Sequence, residues 1–127
     1  MSTVCAVGGQ TAGMVIMEDG DADGILDLAT TCGIDCTAMM SWSGPVNADS
    51  VAGNAIVARA MARYPGRVLG LCTVDPSYMS QEEMQTEFHR CHLEHGMVGM
   101  KPYMSMGFNY DDPVWSKWWE FGNQHGM

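Results

Sequence analysis

The residues from Asn54 to Pro102 constrain the fold of this chain more than any other stretch. A helical pattern stops at Tyr64-Pro65-Gly66, and an apolar run from Val68 to Val74 follows. Asp75-Pro76 ends that run. Ser80-Gln81-Glu82-Glu83 then opens a second helical pattern with a capping box, in which Ser80 and Glu83 satisfy each other's orphan backbone donors. Met84, Phe88 and Cys91 mark the buried stripe of that helix, and Gly96 stops it just before a short run from Met97 to Met100. Apolar strands that alternate with helices need a parallel sheet with covered faces, so the class is α/β.

The flanks extend the alternation. Val4 to Val7 and Met14 to Met17 are candidate short strands, separated by Gly8-Gly9 and Gly13. Ile25, Leu28, Ala29 and Cys32 fall at helical spacing after Asp23, with Gly33 as the stop. Cys36 to Trp42 reads as a strand closed by Ser43-Gly44-Pro45, and Asp49 to Tyr64 as a helix. Val57, Met61 and Tyr64 face inward there, while Arg59 and Arg63 share an outer face. Asp112-Pro113 is an N-cap and first-turn pair for a last helix with an aromatic face of Trp115, Trp118 and Trp119, ended by Gly126. The expected organisation is one partial domain over residues 1–127, with little signal in residues 1–22. About three parallel strands with open edges are expected, because 127 residues fall short of the ~250 of a closed (β/α)8 barrel. The last helix ends where a further strand is due.

Composition narrows the partners. Fifteen acidic residues against six basic ones give a net charge of −9, which argues against a nucleic-acid groove built on clustered Lys and Arg. No apolar stretch approaches the ~18–20 residues of a membrane span, and no basic segment precedes an apolar core at the start. Five cysteines, Cys5, Cys32, Cys36, Cys72 and Cys91, are an odd number set mostly in apolar patterns, which suits free thiols in a reducing cytoplasm. The thirteen methionines read as core fillers.

Parallel α/β folds place their sites at the carboxyl ends of the strands. Three such ends are visible: Ser41-Trp42-Ser43, Thr73-Val74-Asp75 and Met100-Lys101-Pro102-Tyr103. The substrate-facing candidates are Ser41, Trp42, Asp75, Lys101 and Tyr103. A charge directly after a buried strand needs a partner or a task. Lys101 can hold an anionic substrate, form a Schiff base, be carboxylated to bridge metals, or pair with Asp75. Asp75-Pro76 also serves simply as a turn start. His89, His92 and His95 imitate a metal run, but the helical period points His89 and His95 apart. Asp19 to Gly24 imitates a calcium loop without the final bidentate Glu, and suits a helix N-cap cluster better.

Three passages carry a family resemblance: GNAIVARAMARYPGRVLGLCTVDP, RCHLEHGMVGMKPY and NYDDPVWSKWWEFGNQHGM. Together with Gly33-Ile34-Asp35 before a strand, they resemble the amidohydrolase-related family of metal-dependent barrel enzymes, over about residues 23–127. This branch includes hydrolases and the decarboxylases of aminocarboxymuconate semialdehyde and resorcylate. The resemblance implies a (β/α)8 barrel of which this chain supplies about the second to fourth steps. It also implies a divalent metal, usually zinc, in the full-length family, and a small carboxylated or aromatic substrate. Those enzymes carry a His-x-His pair on the first strand, and this sequence has none. No metal ligand and no catalytic residue is therefore assigned here, and the expectation is a fragment inactive alone. Two other readings stand beside it: an α/β module that forms a homo-oligomer through its open sheet edges, and a lyase using Lys101 as a Schiff-base amine.

Overall fold

Three of the described α-helices start where a short polar side chain can hold a free backbone donor. In the computed structural model, which describes residues 2–4, 21–43, 48–102 and 107–127, Asp21 accepts the amide of Gly24 at 2.9 Å and opens α1, Ala22–Thr31. Asp49 accepts from Ala52 at 3.1 Å and opens α2, Ser50–Arg63. Ser80 opens α3, Gln81–His89, with the anticipated capping box: the Glu83 amide reaches Ser80 Oγ, and the Ser80 amide reaches Glu83 Oε2. That backbone hydrogen bond holds the Glu83 carboxyl below its ordinary pKa. A π-helical turn, Arg90–Glu94, continues α3. Asp112 caps a 3-10 turn, Pro113–Trp115, which leads into α4, Ser116–His125. Gly126, at φ 68°, takes the left-handed exit that a side chain disfavours.

The strands are β1 (Ser2–Val4), β2 (Thr37–Met39), β3 (Val68–Cys72) and β4 (Gly99–Met100). They form one parallel sheet in the order β1-β2-β3-β4, with Thr3 opposite Ala38, Ala38 opposite Leu69, and Leu71 opposite Gly99. Every strand lies beside the one before it. With right-handed crossovers, that order puts all the helices on one face. Two buried clusters occupy this face. Ile25, Leu26, Met39, Ala60 and Val68 form one, and Val57, Cys72, Val74, Phe88, Trp115 and Trp118 belong to the other. The chain is thus a run of consecutive βα steps of a (β/α)8 barrel, in an arc that is incomplete.

Three details depart from the sequence reading. A fourth strand exists, at Ser2–Val4, where Val4 to Val7 was expected; residues 5–20, including the Met14 to Met17 run, lie outside the described residues. The other strands are shorter than their apolar runs. On α1, Leu26 is buried in place of Leu28, which is 51% exposed. Cys32 also lies outward, since the helix ends at Thr31 and Cys32 is only its C-cap. Among the described residues, no helix is long and apolar enough to cross a membrane.

Gly70 shows how closely α2 approaches the sheet. A Cβ there would fall 2.9 Å from Met97 Cγ and 3.1 Å from Val57 Cγ1, and inside the envelope of Met61 Sδ. Gly70→Ala should therefore lower unfolding stability by about 1–3 kcal/mol, an overpacking cost measurable by urea titration. An unchanged midpoint would contradict this packing.

Candidate functional site

The alternation along β3 decides which residues can face a ligand. Val68, Cys72 and Val74 are buried among the helices, and Gly70 lies between them against Val57. Leu69, Leu71, Thr73 and Asp75 therefore take the opposite side, the lumen of the arc. Met100 packs on the helix side, so Lys101 joins them. The ladder runs past the short β4: Val98 donates to the Gly70 carbonyl at 3.0 Å and Lys101 to that of Cys72 at 2.9 Å. Thr73 Oγ1 meets the Lys101 carbonyl at 3.3 Å. Lys101 thus stands beside Thr73, and Asp75 lies two residues further along its strand.

Asp75 is 5% exposed, and it shapes a turn as well as facing the lumen. Its Oδ1 accepts the Ser77 amide at 2.8 Å, and its carbonyl accepts the Met79 amide at 3.0 Å. Ser41, fully buried, is likewise engaged locally, its Oγ accepting the Ser43 amide at 3.1 Å. Trp42 is half-buried just beyond it. Tyr103 lies outside the described residues. Of the five candidates, Asp75 and Ser41 each hold a local backbone amide, of Ser77 and Ser43, while Lys101 extends β4 with its own amide on the Cys72 carbonyl.

What holds these strand ends is a residue that sequence reasoning passed over. Asn54, fully buried on the inner face of α2, clamps the main chain of Thr73: Oδ1 accepts the amide at 3.0 Å, and Nδ2 donates to the carbonyl at 2.8 Å. Nδ2 also donates to Glu87 Oε1 at 2.8 Å. Glu87, 4% exposed, is gripped in turn by Arg90, with Nε to Oε2 at 2.9 Å and Nη2 to Oε1 at 2.7 Å. This hydrogen bonding raises the Arg90 pKa and keeps the guanidinium charged. Cys72 and Cys91 border the network; burial, then the hydrogen bond with Cys91, raises the Cys72 thiol well above its ordinary pKa. Such a thiol stays protonated and is no nucleophile. The sequence shows only the place of Asn54 on its helix and not its distant partners. Asn54 sits three residues before Val57 and seven before Met61, a polar amide on an otherwise apolar helical face.

A groove of about 520 Å³ opens elsewhere, between the amino ends of α2 and α3, lined in part by Asp49, Ser50, Tyr78, Met79, Glu83 and Glu87. Its carboxylates make it unsuited to an anionic substrate, and none of the candidate residues lines it. The histidines of the apparent metal run separate. His89 stacks on Phe121 at 4.5 Å, and His95 Nε2 lies 3.3 Å from Arg90 Nη1. Among the described residues, no group of three or more His, Cys, Asp and Glu side chains is placed to hold a metal ion. Asp21, from the calcium-like stretch, caps α1, and Asp19 lies outside the described residues.

No family model and no curated protein matches the chain. A solved structure does: the crystal structure of 4-oxalomesaconate hydratase from Rhodopseudomonas palustris, with a TM-score of 0.64 at 16% sequence identity. The likeness covers 91% of this chain and 40% of the hydratase chain, so this chain spans less than half the length of that enzyme. At this identity the likeness is one of fold.

Replacing Asn54 tests the clamp. Asn54→Leu strips the Thr73 amide and carbonyl and one Glu87 oxygen of their partner, and should cost about 2–4 kcal/mol of stability by urea unfolding. Asn54→Asp instead sets a second carboxylate against Glu87. One carboxyl of that pair then has a raised folded-state pKa, so the folded state binds more protons than the unfolded one. The deficit of this variant should shrink as pH falls through the acidic range, whereas that of Asn54→Leu should not. Equal pH profiles would refute the contact with Glu87.

Proposed function

We propose that this chain is part of an amidohydrolase-related enzyme, a metal-dependent hydrolase or carboxy-lyase acting on a small carboxylated or aromatic molecule. In this reading it supplies scaffold and one arc of the pocket rim. The observation that carries it is the parallel register of β3 and β4, whose continuation sets Lys101 beside Thr73, two residues before Asp75. The likeness of fold to part of a longer hydratase, and the sequence resemblance over most of the chain, support the same reading.

The chemistry of this arc is binding and orientation. Lys101, a compact cation at the rim, suits a substrate carboxylate. Asp75, two residues past Thr73, can accept a hydrogen bond from a substrate hydroxyl or amine, while the Asn54 clamp keeps Thr73 in register beside Lys101. The described strand ends do not fit the divalent metal of the family. Asp75 supplies one carboxylate, with Oδ1 already engaged by the Ser77 amide, Lys101 supplies a cation, and no imidazole is present. No step is therefore routed through a metal here.

The experiment is a titration of the isotope-labelled chain with a resorcylate, followed by NMR. Shifts should cluster at Thr73, Asp75 and Lys101 and disappear in Lys101→Met, and no carbon dioxide should be released when zinc or manganese is added. Shifts centred on Tyr78 would sink the assignment of the rim. Turnover by the isolated chain would sink the claim that it supplies only part of a site.

A further inference from the structure

Helices α3 and α4 meet through imidazoles as well as through tryptophans. Phe121, 5% exposed on α4, stacks with His89 at 4.5 Å and with His125 at 4.2 Å, and meets His92 edge-on at 5.7 Å. His92 and His125 stand with ring centroids 5.1 Å apart. One comes from the π-helical turn after α3 and the other from the last position of α4, so only the packing of the two helices brings them together.

We propose that His92 and His125 form a two-histidine site for a divalent transition-metal ion of zinc type, with water in the remaining positions. The spacing fits. Two imidazoles bound to one tetrahedral ion through nitrogens about 2.1 Å away hold their centroids about 5 Å apart. The tautomer of His92 fits as well. Its Nδ1 lies 2.8 Å from the Met97 carbonyl oxygen, which can only accept, so Nδ1 carries the proton and Nε2 presents its lone pair. A second ring nitrogen anchored on a backbone carbonyl is the usual support of a metal-binding histidine.

Two further features favour a cation here. The site lies at the carboxyl ends of two helical segments, where the helix dipole places partial negative charge. Phe121 packs against both rings, edge-on to His92 and tilted to the exposed His125, and so favours their standing side by side. The turn that presents His92 is π-helical, with the His95 amide reaching back to the Arg90 carbonyl at 3.3 Å, and such turns recur at functional sites. With two protein ligands the site stays open to exchange, unlike a closed four-ligand structural zinc. An ion held there would fasten the end of α4 to α3.

The test is isothermal titration of the full chain with zinc chloride alone, in a Cys32→Ser background because that thiol is exposed and would itself take zinc. One ion per chain should bind. His92→Gln and His125→Gln should each weaken binding at least about tenfold, while His89→Gln and His95→Gln leave it unchanged. Zinc should raise the melting temperature of the parent and leave that of the two weakened variants unmoved. Nitrogen-15 spectra of histidine-labelled parent protein give a readout independent of variant folding: zinc should move the Nε2 resonance of His92 while Nδ1 keeps its proton. Absence of binding, binding undiminished in both variants, or an unmoved Nε2 resonance would each overturn the proposal.

Discussion

A single buried amide ties two layers of this fold together at the end of its third strand. Asn54 reaches from α2 and grips both polar groups of the Thr73 backbone, just where β3 has stopped pairing regularly. Buried backbone groups at a strand end cannot turn to water, and leaving them bare costs as much as losing a hydrogen bond. The same amide passes its remaining proton to Glu87, and Arg90 neutralises that carboxylate. Helix α2, strand β3 and helix α3 are therefore registered against each other by one chain of bonds, with every buried member partnered. Such a network specifies a geometry more than it adds stability.

The lumen face inherits its order from that network. Thr73 is fixed by Asn54, and Lys101 is bonded to the carbonyl of Cys72 on the same strand, so the Lys101 backbone follows the clamp at one remove. Asp75 spends one oxygen on its own turn and keeps the loop before α3 tight. Apart from the Asn54–Glu87–Arg90 network, the helix side is apolar and closely packed around Gly70, Val57 and the tryptophans of α4. The division of labour follows from the period of two along β3. One set of side chains glues the sheet to the helices, and the other turns to the opposite face.

Much of this was legible in the sequence. The capping box at Ser80, the break at Tyr64-Pro65-Gly66 and the stripe of Met84, Phe88 and Cys91 depend on near neighbours, and near neighbours are what a sequence displays. The positions of Asp75 and Lys101 after their strands were legible for the same reason. The Asn54 clamp was not, because its partners lie nineteen and thirty-three residues away. Nor was the pairing of His92 with His125, since spacing along one helix drew attention to His89 and His95 instead. Leu28 misled because a helical stripe was extended to Cys32, past the residue where α1 ends.

The most direct test of this account is native-state hydrogen exchange at the Thr73 amide. That amide belongs to no regular ladder, and its acceptor is the Asn54 side chain. If the clamp registers α2, β3 and α3 as described, the Thr73 amide should exchange only through the same opening that frees the Leu71 and Cys72 amides of β3. Their protection should match, and it should fall together when denaturant is added. Exchange at Thr73 faster than at Leu71 by orders of magnitude, through a local opening insensitive to denaturant, would contradict the claim that Asn54 holds the strand end.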